Sequence, residues 1–245
     1  MAEPNASPVP TGVSSIYIAS AEGGTGKSTI ALGVLHPLAA SAARVGVFRP
    51  IVRSTEDADH LLELLLEHAT ATLDDYDQCL GVTYDEVDED PEAALSEIVA
   101  RYHGVVRQCD AVVVIGSDYT DVVNPSALTF NARIAVNLGA PVLLAVNGRE
   151  RSPETITRID QHCLTEVAAA HARTAVIIAN RCDPQRLDEV TKALATTGLP
   201  AFSVPEVPML AAPTMAEPCE ALGGTLYSGD PELLRREAMS LRSAA

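Results

Sequence analysis

The chain has 245 residues, enough for one large α/β domain with its own core. Hydrophobic residues make up 47% and charged residues 20%, which excludes a disordered chain, and the lack of Trp leaves Ala, Val, Leu and Ile to fill the core. A net charge of −16 repels phosphodiester backbones and anionic lipid, so neither nucleic acid nor membrane is expected as a partner.

Residues 1–13 are rich in Pro, Ala and small polar side chains and read as a flexible tail. They have no basic start and no apolar stretch, so they are not a secretory signal. No apolar run reaches the ~20 residues that span a bilayer. The five cysteines, Cys79, Cys109, Cys163, Cys182 and Cys219, are odd in number and include no close pair, which fits a reducing, cytoplasmic setting.

Residues 15–20 predict a short strand, followed by a glycine-rich turn and a helix over about 27–43. Residues 45–48 predict a second strand, ended by Arg49-Pro50. Apolar residues at 58, 61, 62, 65, 66 and 69 share one helical face and predict a helix over 57–69. Residues 70–90 are acidic and irregular and read as a loop. Pro91 opens a helix with Ala94, Leu95, Ile98, Val99 and Tyr102 on one side. Residues 111–115 are the clearest buried strand. A helix over 125–138 is closed by Gly139, and a strand over 141–146 follows. Ser152-Pro153-Glu154 supplies a capping hydroxyl and then Pro in the first turn, starting a helix that runs to about 172. A strand over 174–179, a helix over 185–196 and a strand over 201–204 complete the alternation.

Strands separated by helices predict an α/β fold: a three-layer, doubly wound, mostly parallel sheet of the P-loop NTPase type, occupying residues 14–210. Beyond it the composition shifts to Ala, Pro, Thr and Gly. Residues 211–245 read as a short C-terminal appendage, a linker or the start of a following domain, with a small amphipathic helix over 231–241.

The run Ala21-Glu22-Gly23-Gly24-Thr25-Gly26-Lys27-Ser28 stands between the first strand and the first helix. A phosphate loop reads G-x-x-x-x-G-K-S/T in that context, and here Ala21 takes the place of the usual first Gly. The glycines let the backbone curl so that N–H groups face a β-phosphate. The helix N-terminus adds roughly 0.3–1 kcal/mol per favourable charge contact. Glu22, Gly23, Gly24, Thr25, Gly26, Lys27, Ser28 and Thr29 are the predicted phosphate-binding residues. Lys27 is expected to bridge the β- and γ-phosphates and Ser28 to ligate Mg²⁺, which makes Mg²⁺ with ATP or GTP the expected cofactor. Asn180 and Asp183, after the strand 174–179, are candidates to read a purine base, although the same residues also suit a turn. Arg49, Asp57 and Asp59 follow the second strand, and Asp118 follows the strand 111–115. Each is a candidate for a phosphate or metal contact, and each acidic one equally a helix cap. No histidine has a partner by spacing, and no zinc motif or nucleophile elbow is present.

Several stretches together resemble a known family. They are residues 15–28, Val47-Phe48-Arg49-Pro50-Ile51, residues 110–116, the run from Phe130 to Val142, and Val204-Pro205-Glu206-Val207-Pro208. They resemble the N-terminal domain of the long form of phosphate acetyltransferase, which is in turn similar to dethiobiotin synthetase. The resemblance covers nearly the whole chain. It implies a parent protein in which a catalytic domain for acetyl transfer between acetyl-CoA and phosphate lies further on. This chain would then lack the acetyl-transfer site and serve as a nucleotide-binding regulatory or architectural piece, with the parent's C-terminal domains as partners and a homo-oligomer expected.

Two departures weigh against a free-standing dethiobiotin synthetase-like enzyme. That family uses a lysine where Arg49 stands, and arginine does not shed a proton near neutral pH. It also has an acidic metal ligand where Ile115 stands, and Ile cannot ligate a metal. The loop also resembles that of partition and septum-site ATPases, but those carry a signature lysine where this chain has Glu22.

Overall fold

The computed structural model describes residues 14–71, 76–117, 127–211, 214–221, 223–225 and 227–236. The chain divides into two compact units, Met1–Val204 and Pro205–Ala245. Among the described residues there are seven strands, all in the first unit but for the last residue of the seventh: β1 (Ser14–Ser20), β2 (Val45–Val52), β3 (Leu80–Thr83), β4 (Ala111–Ile115), β5 (Val142–Asn147), β6 (Thr174–Cys182) and β7 (Ala201–Pro205). They form one sheet in the order β3-β2-β4-β1-β5-β6-β7, and the pairs from β3 across to β6 are all parallel. The helices between them are α1 (Lys27–Ser41), α2 (His60–Leu66), α3 (Tyr84–Glu89), α4 (Pro91–Val106), α5 (Ala127–Asn137), α6 (Pro153–Ala169) and α7 (Leu187–Ala195).

The two-residue period of the strands sorts the core into two layers. Val112 and Val114 of β4 join Tyr17, Leu144 and Ile177 in a cluster with the inner faces of α4, α5, α6 and α7. Val113 and Ile115 join Ile18 and Leu143 on the other face, against Ile30, Ala31 and Leu35 of α1 and Leu62 and Leu65 of α2. Helix, sheet, helix is the expected three-layer arrangement. Because the strands are parallel, β1, β2, β4, β5 and β6 all end on the same side. β1 lies between strands that lead outward in opposite directions, which is where such sheets open a crevice.

Four expectations are corrected. Residues 70–90 are not a plain loop: a 3₁₀ turn (Tyr76–Cys79), β3 and α3 lie there. Thr83 and Glu86 form a reciprocal capping box that starts α3. β2 does not end at Arg49-Pro50 but continues to Val52, because Pro50 lies beyond the last β2–β4 pair, Phe48 with Val114, where only β3 flanks the strand. β6 runs on to Cys182, so Asn180 pairs in register with Asn147 and sits inside the strand. In the second unit, the expected helix over 231–241 is a 3₁₀ turn over Pro231–Arg235, and residues 237–241 lie outside the described residues. This unit also carries a 3₁₀ turn (Pro208–Ala211) and α8 (Ala216–Ala221).

Candidate functional site

β1 delivers the chain to the glycine-rich loop, and Gly26 caps α1 in the left-handed conformation at φ 76°. A side chain there is doubly disfavoured, since a Cβ on Gly26 would lie 2.4 Å from Asn180 Nδ2. Gly24 is also left-handed, at φ 68°. Three side chains from the ends of β5 and β6 hold this loop. Arg151 donates to both carboxylate oxygens of Glu22, at 2.5 and 2.8 Å, and to the Asn147 carbonyl at 3.0 Å. Arg181 Nη1 donates to the Gly24 carbonyl at 2.8 Å, and Asn180 Nδ2 to the Thr25 carbonyl at 2.8 Å. The Ser20 hydroxyl donates to the Glu22 carbonyl at 2.9 Å.

Lys27 opens α1 and is only 5% exposed. Its ammonium donates to the Ser20 hydroxyl and to the Ser117 carbonyl, both at 3.1 Å. Ser117 follows β4 and is itself anchored. Its N–H donates to Asn131 Oδ1 at 3.1 Å, and Asn131 Nδ2 donates back to its carbonyl at 3.3 Å. Tyr17 donates to the same Asn131 oxygen at 2.6 Å, so a buried polar network ties β1, β4 and α5 together under the lysine. The hydroxyls of Thr25 and Ser117 are buried beside this point without a hydrogen-bond partner. Unspent buried donors at a glycine-rich loop suit an anionic group.

A cleft of about 650 Å³ opens from the loop toward β2 and α2. Gly23, Gly24, Gly26, Lys27 and Ser28 line one end, and Arg49, Arg53, Asp57, Asp59 and Tyr84 the other. Arg49 lies within β2 and donates to Asp59 at 3.1 Å; both are largely buried. Asp59 also caps α2 by accepting from the Leu62 N–H at 2.9 Å, and no group of three or more His, Cys, Asp or Glu side chains among the described residues is placed to hold a metal ion. The lining therefore brings the cationic side chains Lys27, Arg49 and Arg53 into one cleft with Ser28, Asp57 and Asp59.

The predicted site residues thus fall into three groups. Gly23, Gly24, Gly26, Lys27, Ser28, Arg49, Asp57 and Asp59 line this crevice; Thr25 is buried in the loop, Glu22 turns to Arg151, and Thr29 is exposed on α1. Asn180 lies beneath the loop, 5% exposed, with its amide nitrogen committed to Thr25. Asp183 follows β6 and accepts from the Gln185 N–H at 2.9 Å, in the manner of a turn. Asp118 lies outside the described residues. Ile115 is fully buried in the core at the end of β4. Sequence reasoning missed Arg151, Arg181, Arg53, Ser117 and Asn131. Only Arg151 had a local signal, its position just before the Ser152 cap; the others converge from distant segments.

A parallel sheet whose first strand feeds a clamped glycine-rich loop, followed by a helix that starts with Lys27-Ser28, defines a P-loop nucleotide-binding domain. A family model described as an AAA domain matches residues 14–214, and the chain belongs to that family, AAA_26. It is similar to the phosphate acetyltransferase of Nitratidesulfovibrio vulgaris, 28% identical over 237 residues that cover 89% of this chain and 33% of the relative. It is also similar to the phosphate acetyltransferase of Synechocystis, 26% identical over 188 residues, covering 74% of this chain and 27% of the relative. The chain thus spans about a third or less of the length of these curated relatives. Among solved structures, the cell division protein FtsY of Thermotoga maritima shares the fold: TM-score 0.52, 18% identity, 81% of this chain and 64% of that one. Among the described residues, no helix is long and apolar enough to cross a membrane.

Proposed function

We propose that this chain is a regulatory nucleotide-binding domain of a phosphate acetyltransferase, taking up Mg²⁺ with ATP or GTP while acetyl transfer proceeds elsewhere in a longer protein. The observation that carries the reading is Lys27, held buried at the start of α1 beneath a loop whose carbonyls are turned onto Arg181 and Asn180. In this reading the loop N–H groups and Lys27 hold the β- and γ-phosphates, Ser28 and Asp57 face the metal, and Asp183 with the remaining oxygen of Asn180 contacts the base. Mg²⁺ supplies charge neutralisation between the phosphates; the chain's own part is to bind and orient.

Two features favour sensing over synthesis. Arg49 is paired with Asp59, and Ile115 is buried where a metal ligand would be needed for dethiobiotin synthesis. Glu22 is neutralised by Arg151 of the same chain, which gives no support to a partition-type dimer built on a lysine at that position. Isothermal titration with Mg-ATP and Mg-GTP tests the reading. Binding of one of them with slow turnover is the expected outcome; binding of neither would remove it, and rapid hydrolysis would remove the regulatory part.

A further inference from the structure

Arg181 has a left-handed backbone, φ 62°, inside a strand. A long side chain in that conformation is strained, and such strain persists where surrounding contacts demand it. Here the demand is visible. The turn at Arg181 carries its guanidinium to the Gly24 carbonyl, while the preceding Asn180 reaches the Thr25 carbonyl, each at 2.8 Å. Two consecutive residues of β6 therefore hold two consecutive carbonyls of the phosphate loop.

In a trans peptide the N–H points opposite to the C=O of the same plane, and no cis peptide occurs among the described residues. With the Gly24 carbonyl drawn toward Arg181, the Thr25 N–H faces away from β6. With the Thr25 carbonyl drawn toward Asn180, the Gly26 N–H does the same. Gly24 and Gly26 line the cleft and Thr25 joins them, so the Thr25 and Gly26 N–H groups, turned away from β6, are the ones available to an anion there. A loop left to itself would sample other peptide orientations, and ordering them would weaken binding.

We propose that Arg181 is a positioning residue: its strained backbone and its bond to Gly24, together with Asn180, set the direction of the anion-binding amides before any ligand arrives. This rests on the nucleotide-binding reading above. It adds that β6, not the ligand, shapes the loop, and that the effect falls on the phosphates and not on the base.

The test uses the full chain with wild type, Arg181→Gly and Arg181→Lys. Glycine removes the guanidinium and also relieves the left-handed strain, so the lost contact need not lower stability, while lysine keeps the strain and a cation. Arg181→Gly is expected to weaken the nucleotide that wild type takes up by about tenfold, with no fall in melting temperature. Inorganic pyrophosphate, used as competitor, should weaken by a similar factor, and Arg181→Lys should recover part of the loss. If wild type binds neither Mg-ATP nor Mg-GTP, the nucleotide reading itself fails. If wild type binds nucleotide but Arg181→Gly binds it equally well, the positioning role is overturned. It is overturned too if pyrophosphate does not compete in wild type, or if only nucleotide and not pyrophosphate is weakened, since that pattern belongs to a base contact. A lower melting temperature in Arg181→Gly with loss of both ligands would mark a purely structural residue.

Discussion

Asp160 sits on the inner face of α6, fully buried, and neither of its carboxylate oxygens has a hydrogen-bond partner. Burial pushes its carboxyl up from 3.8 to about 6. Between those two values the folded chain binds more protons than the unfolded chain, so stability falls as pH rises through that window and levels off above it. At pH 7 the penalty is on the order of 2–3 kcal/mol. Asp160→Asn should flatten that slope and raise stability at pH 7; urea melts at pH 4, 5, 6 and 7 measure it, and a slope unchanged by the substitution would sink the assignment. Lys27, buried at the start of α1, is by contrast hydrogen-bonded to both the Ser20 hydroxyl and the Ser117 carbonyl. Lys27→Ala should raise the dissociation constant for Mg-ATP or Mg-GTP at least ~10-fold, through loss of a charge-assisted contact. Titration calorimetry would read this, and unchanged affinity would remove Lys27 from the phosphate contacts.

The β2–β3 pairing shows how one strand can be hidden from a sequence reading. β3 is only four residues long, and its partner contains Pro50, which reads as a strand stop. The two strands fit because Gly81 lies against Pro50: a Cβ on Gly81 would come within 2.0 Å of the Pro50 carbonyl oxygen. Gly81→Ala must therefore part the strands, and a loss of about 3 kcal/mol is expected from denaturant unfolding. A near-neutral result would mean that β3 moves without cost. The capping box of Thr83 and Glu86 is a local signal for α3 that the reading of 70–90 as a loop passed over, whereas β3 could be found only through its partner. The strands that hold the site were legible where long apolar runs met turn residues, as in β1, β4 and β5. The end of β6 was not, because Asn180 carries a turn-forming side chain, while its register with Asn147 of β5 keeps it inside a strand that runs on to Cys182.

At the scale of the whole molecule, every buried hydrophobic core residue among the described residues lies between Tyr17 and Leu194. The exposed large hydrophobics instead concentrate late in the chain, with Phe202, Val207, Met209, Leu210, Met215, Tyr227 and Leu233 all open to solvent. A chain ended after Pro205, the last residue of β7, should keep its melting temperature within about 3 °C of the full chain by calorimetry. A larger drop would show that the second unit supports the first. The phosphate loop, the helix behind it and the alternation of strands and helices were determined by the sequence alone, because glycine spacing and hydrophobic period are local properties. What surrounds the loop was decided only by the tertiary structure. Arg151, Arg181, Asn131 and Ser117 stand 90 to 157 residues from the loop atoms or the lysine they serve, or act through a neighbour that does, and a parallel sheet brings them together by aligning its strand ends. The feature that began as a motif is therefore completed by side chains whose spacing in the sequence carries no trace of their proximity.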